Sequence, residues 1–103
     1  MILIATLTVR RAAAEEFCRF ERAAARIMER HGGAIERVIA LRTPAAEAEL
    51  FRELHVVSFP SDEAFAAYRH DPELLALGSL RDFAIAKSEV LFGDEAAGYH
   101  ARV

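Results

Sequence analysis

The chain has no tryptophan, no asparagine and one cysteine, Cys18, in 103 residues. A lone thiol closes no internal disulfide. No apolar run approaches the ~20 residues of a membrane-spanning helix, and the apolar opening MILIATLTV has no basic stretch before it that would make an export signal. The expected setting is the cytoplasm, with no membrane partner. Positive charge is scarce too: 13 basic residues against 16 acidic ones leave a formal charge of -3, and a field of that sign does not gather a polyanion. Nucleic acid is not an expected partner. The histidines, His31, His55, His70 and His100, form neither an i, i+4 pair nor a Cys/His spacing, which argues against zinc or iron. A phosphate-cradling loop is missing as well, because Gly32-Gly33 follows a helical pattern and precedes a strand-like one, the reverse of a dinucleotide turn. No metal and no nucleotide cofactor is expected.

What is present is a chain that is 53% hydrophobic and 28% charged, the composition of a soluble globular domain. Its length suits one domain, drawn over residues 1–93, with a tail over 94–103. Ile2 to Val9 is β-branched and apolar and reads as a first strand. In the next segment Ala13, Phe17, Phe20, Ala24, Ile27 and Met28 recur at helical spacing, with Glu15, Arg19, Arg22, Arg26 and Glu29 opposite. Gly32-Gly33 ends that helix. The second strand, AIERVIALR, is expected to show Ile35, Arg37, Ile39 and Leu41 on one side. A loop with a helical turn leads to a third strand from Leu50 or Phe51 to Phe59. Pro60 then breaks the ladder and Ser61 caps a second helix, whose Phe65 reaches back toward Phe59. Asp71-Pro72 is a second helix start, so a break is expected near His70 and a stop at Gly78. RDFAIAKSEVLFG alternates and reads as strand four, with Phe83, Ile85, Lys87, Glu89 and Leu91 sharing a side.

The order βαββαβ predicts an α+β, ferredoxin-like domain: a four-stranded antiparallel sheet with both helices on one face. An RNA-recognition domain has the same order, but its aromatic signature and basic surface are absent. Strand three carries Phe51, Val57 and Phe59 on one side and Leu50, Leu54 and Val56 on the other, so both sheet faces are apolar. Helices cover only one. A homodimer packed through the open sheet faces is therefore expected.

The segments ERHGGAIERVI, RELHVVSFPSDEAFAAYRHDPELLAL and LRDFAIAKSEVLFG resemble the dimeric α+β barrel superfamily over about residues 1–93. The resemblance is nearest to its small bacterial proteins of unknown function (DUF) whose third strand ends in Phe-Pro-Ser, and more distant to the antibiotic-biosynthesis monooxygenases. It implies a dimeric barrel and leaves the function open, since the superfamily also includes haem-degrading proteins and isomerases. The haem-degrading branch implies an Asn on strand one, where this chain has Thr6, a Trp matched by Tyr68, and a His matched by Gly78. Haem degradation, and monooxygenation that relies on that Asn and Trp, is disfavoured. Positions that often carry tyrosine in the unknown-function branch are Phe17 and Leu74, and a frequent acidic position is Ser58, which weakens an inherited proton shuttle.

Three residues are candidates for a pocket. His55 lies in an apolar strand beside Glu53, where it can serve as a base or ligand contact, or as a satisfied core histidine. Tyr68 can present a hydroxyl to a ligand oxygen, or simply pack. Arg81 can clamp a carboxylate, or cap the preceding helix. Cys18 has no histidine near it in sequence and no nucleophilic role is expected. The expected function is binding of a small hydrophobic or aromatic molecule beside the sheet. The alternative is a cofactor-independent enzyme, monooxygenase- or isomerase-like, acting on such a molecule.

Overall fold

The structure, a computed structural model, describes residues 1–99. Its elements are β1 (Ile2–Arg10), α1 (Ala14–Arg30), β2 (Ala34–Leu41), β3 (Leu50–Ser58), α2 (Asp62–Arg69), α3 (Pro72–Leu75), α4 (Gly78–Ala84) and β4 (Ile85–Gly93). Short 3-10 turns at Arg11–Ala13 and Ala45–Glu47 precede α1 and β3. The strands form one antiparallel sheet in the order β2-β3-β1-β4. That is the expected α+β, ferredoxin-like arrangement. The tail from Asp94 to Tyr99 has no regular structure, and residues 100–103, His100 among them, lie outside the described residues. No helix among the described residues is long and apolar enough to cross a membrane.

Period-two alternation sorts the central strands. Leu3, Leu7 and Val9 of β1 and His55 and Val57 of β3 are buried toward the helices. The other side is open and carries Ile2, Ile4, Leu54 and Val56. All six apolar positions of the first helical pattern, Ala13, Phe17, Phe20, Ala24, Ile27 and Met28, are buried against the sheet. Gly32, at φ 76°, ends α1 in the left-handed conformation that a side chain resists. Its amide donates to Glu29 O and that of Gly33 to Met28 O.

The second helical region starts as the residues dictate. Ser61 Oγ accepts from the Ala64 amide at 3.1 Å, and the rings of Phe59 and Phe65 lie 5.3 Å apart. The break near His70 is present, and Asp71 caps α3 by accepting from the Glu73 amide at 2.9 Å. Gly78, however, does not stop the helical run. It opens α4, so Arg81 and Phe83 are helical and β4 begins only at Ile85. The reason is burial: Leu77, Leu80 and Ala84 fall at steps of three and four and pack on the core of Phe17, Phe20 and Val9.

Two bulges correct the expected strand phases. In β2, Ile35 pairs with Val57 and Arg37 with Val56, leaving Glu36 as the extra residue. Ile35 therefore faces the helices while Arg37, Ile39 and Leu41 face the open side. In β4, Ile85 pairs with Val9 and Lys87 with Thr8, so Ala86 is extra. Ile85 is buried in the core, away from Lys87, Glu89 and Leu91 on the open face. There Lys87 Nζ meets Glu89 Oε1 at 3.0 Å within the strand.

Candidate functional site

The helix-side core is split into two apolar clusters. One gathers Val9, Phe17 and Phe20 with Ala84 and Ile85; the other gathers Leu3, Met28, Val57 and Phe59. Where they meet, a cavity of about 590 Å³ opens between the sheet and the helices, within the range of small-molecule sites. Its floor includes Leu3, Ala5, Leu7 and Val57. Phe20, Ala24 and Met28 of α1, Tyr68 of α2 and Leu74 of α3 form the other walls. Phe65 and Phe92, ring centroids 5.5 Å apart, lie with the exposed Leu75 among its lining.

His55, Tyr68 and Arg81, expected on separate grounds, all line this cavity. His55 is brought there by the strand alternation that also buries Val57, and it is only 4% exposed. Its Nε2 lies 2.9 Å from Glu53 Oε1 on the same face of β3. A carboxylate only accepts, so Nε2 is the nitrogen that donates to Glu53. Nδ1 faces Glu21 Oε2 of α1 at 3.7 Å. Tyr68 packs on Phe59 with centroids 5.3 Å apart and meets the edge of the His31 ring at 6.4 Å. His31 is in turn tied to Asp71, Nε2 to Oδ2 at 2.8 Å, which links the end of α1 to the break after α2. That bond, with the Glu73 amide and Arg30 helping, holds the Asp71 carboxyl below its usual range. Arg81 is half-buried on α4, and its Nη2 donates to Ser88 Oγ of β4 at 2.8 Å. Its pairing with Asp82, at 3.5 Å, is exposed.

Glu21 is the residue that the sequence reading passed over. It lines the cavity with the three expected side chains. Burial pushes its carboxyl above the usual carboxylate range and Glu53 adds to the rise, while His55 and Arg81 pull the other way. The Tyr68 phenol is pushed up to about 12, by burial first and by the nearby Glu21 charge second, against the pull of Arg81. It is therefore a neutral donor at physiological pH. A signal for Glu21 was present: at four residues after Phe17 and three before Ala24, it stands in the apolar row that runs to Met28. Thr6 is on the open side of β1, paired with Leu54, and takes no part in the cavity. Among the described residues no cluster of three or more His, Cys, Asp or Glu side chains is placed to hold a metal ion.

No protein-family model matches the sequence, and no curated protein does. Solved structures do match. A protein of unknown function from Rhodopseudomonas palustris is 21% identical, superposes with a TM-score of 0.69, and matches over 87% of this chain and 78% of its own. A cofactor-independent oxygenase from Streptomyces nogalater is 14% identical, with a TM-score of 0.61 over 92% of this chain and 94% of its own. An antibiotic biosynthesis monooxygenase is 12% identical, with a TM-score of 0.64 over 94% and 100%. What they share with this chain is the ferredoxin-like α+β fold. The likeness anticipated from the three sequence segments thus holds for the fold, and at these identities it carries no activity with it.

Proposed function

We propose that this protein is a cytoplasmic homodimer that binds a small hydrophobic or aromatic molecule in the cavity between sheet and helices. The observation that carries this reading is the cavity itself, about 590 Å³, walled by apolar side chains yet holding Glu21, His55, Tyr68 and Arg81. An apolar space with a few convergent polar groups is the usual form of a ligand site. Support for the dimer comes from the open sheet face, where Ile2, Ile4, Leu54 and Val56 are joined by Ile39 and Leu91 from the edge strands. The uncharged fluorophore N-phenyl-1-naphthylamine tests the cavity. Its emission is expected to rise on titration with the wild-type protein and to fall away with Ala5→Leu, which fills the floor. An unchanged response in that variant would put the dye, and the proposed site, elsewhere.

A second reading has one specific observation behind it. His55 and Tyr68 line the same cavity rather than opposite faces of the sheet, which is the geometry a cofactor-independent enzyme of monooxygenase or isomerase type would need.

A further inference from the structure

We propose that Glu21 is a general base in this cavity, backed by His55 and Glu53, that Tyr68 is the neutral donor working with it, and that the pair acts on an enolisable carbonyl compound with an apolar body. The inference rests on the cavity's being a small-molecule site, and it adds a base and a substrate class to that reading.

The base follows from placement. Glu21 projects from α1 in the apolar row of Phe17, Ala24 and Met28, so its carboxyl is delivered into the cavity rather than to the solvated side with Arg19 and Arg22. Behind it, Glu53 holds Nε2 of His55 at 2.9 Å and leaves Nδ1 turned to Glu21 at 3.7 Å. His55 is thus a positioning residue, almost wholly buried, that stands between Glu53 and Glu21. The charged and titratable groups that line the cavity with Glu21, or act on its carboxyl, come from three other elements: Glu53 and His55 from β3, Tyr68 and Arg69 from α2 and Arg81 from α4. Desolvation makes the Glu21 carboxylate a stronger base than a solvated one.

The substrate class follows from pairing that base with a neutral phenol. Glu21 takes a proton from the carbon next to the carbonyl. The C–H electron pair becomes the new C=C bond, and the carbonyl π pair moves onto oxygen, where the Tyr68 O–H donates a hydrogen bond to the developing enolate. Return of the proton from Glu21 to the same carbon, or to the far end of a conjugated system, restores the carboxylate. No electrons are gained or lost, and no co-reactant is needed. The mostly apolar lining favours a molecule that is hydrophobic away from the carbonyl.

The test uses 2-tetralone, an aromatic bicyclic ketone, in D2O, with loss of its proton NMR signals next to the carbonyl as the readout and displacement of bound N-phenyl-1-naphthylamine as a separate measure of binding. Wild type is expected to exchange these protons faster than buffer, with a rate that climbs as pH rises and Glu21 ionises. Glu21→Gln should return the rate to that of buffer while dye binding persists. Glu21→Asp should keep the pH profile at a reduced rate, and Tyr68→Phe should slow exchange about 100-fold, the usual cost of a lost oxyanion donor. Displacement of the dye without faster exchange, or a Glu21→Gln rate equal to wild type, would overturn the base and leave the binding reading intact. Failure of 2-tetralone to displace a bound dye would overturn the substrate class. Failure of the dye itself to bind would bring down both readings.

Discussion

Replacing Ile4 by glutamate tests the open sheet face. Ile4 lies on central strand β1, flanked there by Val56 of β3 and Leu91 of β4. Strands β1 and β3 are nine residues long; at about 3.4 Å per residue, with four strands about 4.8 Å apart, the face measures about 30 Å by about 19 Å. Two such faces packed together hide roughly 1,200 Å², the lower end of stable protein interfaces. A carboxylate buried in each copy at such an interface costs about 3–5 kcal/mol for the first charge alone. Dimerisation should then weaken by at least about 100-fold. Ile4→Val, which removes one carbon per copy at about 0.8 kcal/mol each, should weaken it only about 10-fold. Sedimentation velocity across a dilution series reads both. Circular dichroism and dye binding should stay as in wild type, because Ile4 faces away from the cavity. A wild-type protein that sediments as a monomer throughout, or an Ile4→Glu variant that sediments as the wild-type dimer, would refute the face-to-face assembly.

Two further outcomes concern the ionisable groups. The Glu21 carboxyl is raised in the folded state by burial, so its contribution to stability is full below the unfolded value of 4.5 and is lost as pH rises through the folded value. Glu21→Gln should accordingly gain in urea midpoint over wild type as pH is raised from 4 to 8, and a constant difference across that range would contradict the burial. The Tyr68 phenol, followed by ultraviolet difference absorbance in a Tyr99→Phe background, should ionise near 12 rather than the ordinary 10, with a lower midpoint once Glu21→Gln removes the neighbouring charge. A midpoint at 10 would mean that the ring is solvated.

Much of the candidate site was legible because its residues break local patterns. His55 is a polar residue in an apolar strand, and it proved to be held by Glu53, its neighbour two positions away. Tyr68 and Arg81 carried weaker signals, and Arg81 reached the cavity from α4, not from the strand expected to carry it. Glu21 was missed because its partner is 34 positions further on in β3, and nothing in the helix spells out that pairing.

The sequence alone determined the order of elements, the buried side of α1 and the breaks at Gly32, Ser61 and Asp71, since each rests on contacts within a few residues: helical periodicity, a left-handed glycine, a capping oxygen. Tertiary structure decided the rest. The extra residues at Glu36 and Ala86 reverse strand phase only relative to β3 and β1. The helical state of Gly78–Ala84 depends on Leu77, Leu80 and Ala84 finding the α1 core. The approach of Glu21 to His55 exists only once α1 lies across the sheet. Each of these depends on where a distant segment comes to rest, which local propensity does not encode.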